Sequence, residues 1–147
     1  MLTRLSKLDG GEYSALILAQ AGLNRLGLQS RISRIFTVDE MMPSASQGIL
    51  AVQGREGEDH SYLDCFHSRE SEIVSKAERQ FLKTLGGDCT SPVAAYAELR
   101  ENTVLLKGMY VDGAGNVEMG KIRGGVEKAG LLGEMLAKQL MGRSAGE

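Results

Sequence analysis

The most regular pattern of apolar residues predicts a helix in the middle of the chain. Ser68 stands where a helix cap is needed, the first turn carries acidic residues, and Gly86 and Gly87 end the pattern. The apolar positions that recur at helical spacing are Ile73, Val74, Ala77, Phe81, Leu82 and Leu85. One face of this helix must therefore be buried.

Three strands and a last helix are predicted after this helix. The predicted strands are Val93 to Leu99, Thr103 to Val111 and Val117 to Arg123, with a Gly-rich and Asn-containing turn before the third. An amphipathic helix from about Val126 to Met141 offers apolar residues that can cover the sheet. The pattern predicts an α+β C-terminal domain, in which helices cover a three-stranded antiparallel sheet.

The N-terminal part is interpreted as an incomplete α/β segment. Leu2 to Asp9 resembles the end of a helix, Ala15 to Ala19 a buried strand, and Leu23 to Leu28 a short helical turn. A second apolar run, Gly48 to Val52, is too short for a helix and is interpreted as another strand. A lone strand between helices does not close a core. We therefore expect this segment to belong to something larger and to self-associate through its exposed apolar faces.

Composition and charge narrow the class of protein. The chain of 147 residues is 42% hydrophobic and 24% charged, as in ordinary globular proteins. Its net charge of −2 provides no broad basic surface for nucleic acid. The longest apolar stretch, Tyr13 to Ala21, is interrupted and far shorter than the roughly 20 residues that span a bilayer. We expect neither nucleic acid nor a membrane among the partners, and, since two cysteines form no disulfide scaffold, a cytoplasmic location.

The two cysteines differ in their sequence context. Cys89 follows a Gly-Gly turn and precedes Pro92, so it lies on a constrained loop from which a side chain can project into a cleft. A free cysteine is more often a small buried hydrophobe, and the residues alone leave both interpretations open. Cys65 forms only a loose cluster with His60 and His67, whose spacing fits no standard zinc pattern. We predict no metal site there.

Motifs along nearly the whole chain occur together in one known family. They are Thr3-Arg4-Leu5, Ala21-Gly22-Leu23-Asn24-Arg25-Leu26-Gly27-Leu28, Met42-Pro43-Ser44-Ala45-Ser46-Gln47-Gly48, Ala77-Glu78-Arg79-Gln80-Phe81-Leu82 and Gly86-Gly87-Asp88-Cys89-Thr90-Ser91-Pro92-Val93. Together they resemble porphobilinogen deaminase (hydroxymethylbilane synthase), with Ser46 where a glycine is usual and Asp88 where many members have glycine. A negative charge at Asp88 would disfavour a neighbouring thiolate.

The resemblance implies a transferase of haem and tetrapyrrole biosynthesis. Such an enzyme joins four porphobilinogen molecules into hydroxymethylbilane and releases ammonia at each step. A dipyrromethane cofactor, attached by a thioether to the cysteine that Cys89 matches, primes the growing chain of linear pyrrole intermediates. Arg4 and Arg25 match positions that bind carboxylates of cofactor or substrate, a task for which the planar guanidinium is suited. The catalytic aspartate belongs to the first domain, so no catalytic residue is expected in this chain.

The same resemblance implies a division into three parts. Residues 1–42 correspond to the closing half of domain two, residues 43–65 to the crossover and return strand of domain one, and residues 66–147 to a complete domain three that anchors the cofactor. Gln47 and Gly48 are interpreted as a hinge in the crossover. We expect a C-terminal fragment that is inactive without the N-terminal half of the enzyme.

Two other functions compete with this interpretation. A non-catalytic interaction or regulatory module derived from domain three would keep the fold and lose the reaction. A thiol-redox module is disfavoured because Cys65 and Cys89 form no Cys-x-x-Cys pair. Arg79, on the helix before Cys89, is expected to lie away from the apolar stripe.

Overall fold

A computed structural model of the chain describes residues 1–86 and 92–144. It divides into two compact units, Met1–Thr37 and Val38–Glu147. Within the described residues, no helix is both long enough and apolar enough to cross a membrane.

The first unit consists of two short helices and a 3-10 turn. Helix α1 spans Leu2–Asp9, helix α2 spans Gln20–Arg25, and the turn spans Gln29–Arg31. The buried apolar residues of this unit are Leu5 and Leu23, so its core is very small. The side chain of Met1, the residue before α1, fills the space that a β-carbon on Gly22 of α2 would need.

Neither short strand predicted before residue 60 is formed. Residues 15–19 and 48–52 join no hydrogen-bonded ladder, and Ile17 and Leu50 are 66% and 93% exposed. The predictions were wrong for this chain because a strand is made by its neighbours, and neither segment has a partner strand among the described residues. The helices predicted beside the first of these segments are present.

The second unit contains the α+β fold that the sequence predicts. After a 3-10 turn, Ser61–Phe66, helix α3 spans Arg69–Leu85 and is capped by the Ser68 hydroxyl, which accepts a hydrogen bond from the Ser71 amide at 3.2 Å. Strands β1, β2 and β3 form an antiparallel sheet in that order, followed by a 3-10 turn and helix α4. Strand β1 spans Val93–Arg100, β2 spans Thr103–Val111 and β3 spans Val117–Gly125. The 3-10 turn spans Val126–Lys128, and helix α4 spans Ala129–Ser144.

The core lies between one face of the sheet and helices α3 and α4. Phe81 of α3 sits over Gly108 of β2, where a β-carbon would collide with the ring. On α4, a β-carbon at Gly133 would meet the backbone of α3. These close approaches explain how the two helices pack tightly on each other and on the sheet. The fully buried larger side chains are Phe81, Val104, Leu106, Leu136 and Leu140.

Candidate functional site

The loop that carries Cys89 and Asp88 lies outside the described residues, but both elements that flank it are defined. Helix α3 ends at Gly86, whose left-handed backbone (φ 68°) lets its amide bond to the carbonyls of Leu82 and Lys83. On the other side, the Pro92 carbonyl accepts a hydrogen bond from the Val111 amide at 3.1 Å. The sequence thus places Cys89 between a terminated helix and the start of an anchored strand.

Among the described residues, one charged side chain is buried, and it belongs to the helix that precedes this loop. Glu78, on α3, is 5% exposed. Its carboxylate accepts two backbone hydrogen bonds, one from Ser46 at 2.6 Å and one from Ala97 of β1 at 2.7 Å. The Ala95 amide, two residues earlier on the same strand, donates to the Pro43 carbonyl at 3.2 Å. Residues 43–46 and Glu78 together cover part of the β1 edge, which would otherwise present unpaired amides.

The environment of Glu78 acts on its carboxyl group in two opposing ways. Burial raises the pKa above its ordinary value of 4.5, whereas the hydrogen bonds from the Ser46 and Ala97 amides lower it, and burial prevails. Both carboxylate oxygens are used by backbone donors. This arrangement suits a structural acceptor that holds backbone in place.

Ser46 adopts a conformation that favours glycine. Its φ is 60°, in the left-handed region, and its hydroxyl oxygen is buried with no hydrogen-bond partner among the described residues. The expectation that a glycine is usual here therefore has a physical reason, since glycine would relieve both features. The amides of Gln47 and Ile49 bond to the carbonyls of Ser44 and Ser46, so the segment interpreted as a hinge consists of consecutive tight turns.

The start of the second unit is also tied to the sheet by an ion pair. The Lys107 ammonium on β2 lies 2.6 Å from a carboxylate oxygen of Asp39. The hydrogen bond from Lys107 holds the pKa of the Asp39 carboxyl below its ordinary value. Segment 39–46 therefore touches two strands and one helix of the second unit.

The two arginines predicted to bind carboxylates lie in the first unit. Arg4 is on α1 and Arg25 ends α2, and both are exposed. Within the described part of the chain, neither side chain is engaged in a hydrogen bond or ion pair. Arg31 differs, because its guanidinium makes an ion pair with Asp9 at 2.5 Å.

His60, Cys65 and His67 each have separate contacts. The Cys65 thiol lies 3.6 Å from the Tyr62 carbonyl, and the His67 ring lies 3.2 Å from a Glu72 carboxylate oxygen. In residues 1–86 and 92–144, no group of three or more histidine, cysteine or acidic side chains is arranged to hold a metal ion. An open cavity of about 650 Å³ lies nearby, and Leu50, Val52 and Phe66 are exposed along its lining.

Two family models match consecutive parts of the chain. The model described as "Porphobilinogen deaminase, dipyromethane cofactor binding domain" matches residues 1–63, and the model described as "Porphobilinogen deaminase, C-terminal domain" matches residues 73–142. The chain belongs to the porphobilinogen deaminase family. The resemblance drawn from the sequence motifs is thereby confirmed.

Curated relatives named porphobilinogen deaminase match over most of the chain. The protein of Alkaliphilus oremlandii is 51% identical over 142 residues, which is 97% of this chain and 48% of that protein. The protein of Ruminiclostridium cellulolyticum is 58% identical over 74% of the chain and 37% of its own length, and that of Prochlorococcus marinus (strain NATL1A) is 40% identical over 100% and 48%. The chain spans about half the length of these porphobilinogen deaminases.

Sequence reasoning missed Glu78 although it lies in one of the quoted family motifs. It follows Val74 by four residues and precedes Phe81 by three, so it falls on the apolar stripe of the predicted helix. A charged residue on a buried stripe is uncommon and is a signal of a specific partner. Arg79, by contrast, is exposed, as its position off the stripe predicts.

Proposed function

We propose that this chain supplies the cofactor-anchoring part of a porphobilinogen deaminase. In that reaction four porphobilinogen molecules are condensed into hydroxymethylbilane, with release of ammonia at each step. The observation that carries the proposal is the order of the two matched family models, together with a well-packed α+β unit whose helix α3 and strand β1 flank Cys89. We place the reaction in the cytoplasm, where thiols such as Cys89 stay reduced.

Cys89 is proposed as the covalent anchor of the dipyrromethane cofactor. Loss of ammonia from porphobilinogen leaves an electrophilic methylene carbon. The cysteine thiol gives up its proton, and the resulting thiolate is the nucleophile that forms a carbon–sulfur bond to this carbon. The family model over residues 1–63 supports a dipyrromethane site by its description. The thioether at Cys89 is inferred from the matching motif.

Arg4 and Arg25 are proposed to bind the acetate and propionate groups of the cofactor and the growing pyrrole chain. Each pyrrole unit adds two carboxylates, which need cations that stay charged in a cleft. The exposure of both guanidinium groups, which are unpaired among the described residues, supports this role. Neither arginine can transfer the protons that condensation requires, because guanidinium does not lose its proton at neutral pH.

The three-part division of the chain is proposed from the resemblance of its motifs to those of the family. Residues 1–42 would complete domain two, residues 43–65 would cross to domain one, and residues 66–147 would form domain three. The apolar side chains Leu50 and Val52, which are 93% and 64% exposed, support a contact between the middle segment and another part of the enzyme.

The polypeptide of these 147 residues is expected to consume no porphobilinogen by itself. No acid in it is proposed for proton transfer, and the condensation needs one. The test compares this polypeptide with a fusion in which the upstream half of the Alkaliphilus oremlandii relative precedes Met1. We expect hydroxymethylbilane from the fusion only.

The outcomes separate the enzyme from the alternative of a non-catalytic module derived from domain three. The tightly packed core of the second unit is the observation that favours that alternative, since such a unit can persist without catalysis. A folded fusion that forms no hydroxymethylbilane would support the module. Turnover by the 147-residue polypeptide alone would contradict the proposed division of labour.

A further inference from the structure

Glu78 joins three parts of the second unit at one carboxylate. One oxygen accepts from the Ala97 amide of β1 and the other from the Ser46 amide of the crossover, while the side chain itself belongs to α3. Helix α3 and strand β1 are the elements between which residues 87–91 run. The crossover is thus bonded to both elements that flank the Cys89 loop.

A buried charge at this position calls for a specific explanation. Among the described residues, Glu78 is the charged side chain that is buried, and burying a carboxylate is unfavourable unless its oxygens are satisfied. An apolar side chain of similar size would fill the same space without that penalty, and buried polar groups are best attested where they fix one arrangement among several. Glu78 selects the arrangement in which two backbone amides converge on it.

The conformation of Ser46 indicates that its contact with Glu78 holds residues 43–46 in an unfavourable arrangement. Ser46 holds a left-handed backbone that an L-residue adopts at some cost, and its hydroxyl is buried without a partner among the described residues. A segment free to relax would avoid both features. The Glu78 bond to the Ser46 amide, supported by the Pro43 carbonyl on the Ala95 amide, is the contact that holds it.

We propose that Glu78 is a positioning residue, whose carboxylate clamps residues 43–46 to the edge of β1 and so holds this segment against helix α3 and strand β1, the two elements that precede and follow Cys89 in the sequence. The inference rests on the proposed function for its catalytic consequence only. The clamp itself is a property of the 147-residue chain.

The clamp is tested first in the 147-residue chain by hydrogen exchange of single amides. In the unmodified protein, we expect the Ser46 and Ala97 amides to be protected. In Glu78→Gln, one carboxylate oxygen is replaced by a carboxamide NH2 group, which cannot accept a hydrogen bond. We therefore expect at least one of the two backbone amides to exchange about tenfold faster or more, while the exchange of the Leu106 amide in β2 is unchanged. Glu70→Gln, an exposed residue of the same helix, is the matched control.

Two results would overturn the clamp. One is an unprotected Ser46 amide in the unmodified protein, which can be measured even if no variant folds. The other is equal loss of protection throughout α3 and the sheet in Glu78→Gln, since this would show a general loss of packing. Glu78→Asp keeps the charge but is one methylene shorter, so it should free one of the two amides and leave the sheet protected.

The positioning role is tested in the fusion with the upstream half of the Alkaliphilus oremlandii relative. We expect Glu78→Gln to lower kcat by about tenfold or more, because a small displacement of reacting groups slows catalysis, and to change KM little, because Arg4 and Arg25 are intact. Ile122→Val, a core change away from the crossover, is the control for stability alone. An unchanged kcat in Glu78→Gln would refute the positioning role, whereas an inactive unmodified fusion would refute the proposed function and leave the exchange test to decide the clamp.

Discussion

At the scale of single residues, the crossover combines a favourable contact with local strain. The Glu78 carboxylate accepts hydrogen bonds from two backbone amides, and one of the two donors, Ser46, has an unfavourable left-handed backbone conformation. The sequence placed both residues in family motifs but did not reveal their contact. A bond between positions 32 residues apart is set by the packing of α3 on the sheet, which no local pattern encodes.

Replacing Ser46 by glycine should stabilise the protein. Glycine removes the left-handed strain of about 1–2 kcal/mol and the buried unpaired hydroxyl, and loses roughly 0.5–1 kcal/mol through a more flexible unfolded chain. We expect the free energy of unfolding to rise by about 1 kcal/mol, measured by urea denaturation.

Glu101→Gly is the matched control for Ser46→Gly. Glu101 also has a left-handed backbone (φ 55°), but it lies in an exposed turn and buries no hydroxyl. Its replacement should stabilise the protein less than Ser46→Gly. A larger gain from Glu101→Gly would show that the buried hydroxyl of Ser46 carries no penalty.

The burial of Glu78 predicts a pH dependence of stability. Because folding raises its pKa above 4.5, this group contributes stability that is fully present below pH 4.5 and is lost as the pH rises through the folded-state pKa. The free energy of unfolding of the native protein, relative to Glu78→Gln, should therefore decrease with rising pH in the window above 4.5. Denaturation at several pH values checks this, and an increase over the same window would contradict it.

At the scale of secondary structure, prediction succeeded where elements are defined by their own residues. Helix α3 has its cap, its stripe and its glycine stop in one continuous stretch, and the hairpin strands are joined by short turns, so local pattern was sufficient. The runs at residues 15–19 and 48–52 had the apolar content of strands but no partner strand among residues 1–86 and 92–144. Strand formation depends on non-local pairing, which explains the failure.

The packing of α3 against α4 should be sensitive to a single methyl group at Gly133. A β-carbon there would overlap the Ala77 carbonyl and the Phe81 amide of α3, and backbone atoms cannot move aside as a flexible side chain can. We expect Gly133→Ala to lower the free energy of unfolding by about 1–3 kcal/mol, as overpacked cores do.

Gly142→Ala, on the same helix, is the control for Gly133→Ala. A β-carbon at Gly142 meets no atom within 4 Å in the described structure. The change should raise the free energy of unfolding by roughly 0.5–1 kcal/mol through helix propensity. Equal effects of the two substitutions in urea denaturation would refute the close approach at Gly133.

At the scale of the whole molecule, the two units differ in the size of their buried apolar cores. Leu5 and Leu23 are the buried apolar residues of the first unit, whereas the second has a continuous core built from two helices and a sheet. The sequence also predicts an incomplete N-terminal segment, with its boundary at residue 42 rather than at residue 37. The two family models meet between residues 63 and 73, which is inside the second unit and not at the division between the units.

The first unit should open before the second. With so little buried apolar surface, amides of α1 and α2 should exchange at low opening free energy, while those of α3, α4 and the sheet should require nearly global unfolding. Hydrogen exchange in a preparation shown to be monomeric by ultracentrifugation checks this. Uniform protection across both units in such a monomer would contradict it.

Peptide mass spectrometry of the fusion with the upstream half of the Alkaliphilus oremlandii relative tests the central claim most directly. After incubation with porphobilinogen, we predict a dipyrromethane adduct on the peptide containing Cys89 and none on the peptide containing Cys65. Cys89→Ala should carry no adduct and form no hydroxymethylbilane. An adduct on Cys65, or an active fusion carrying Cys89→Ala, would contradict the assignment of Cys89 as the cofactor anchor.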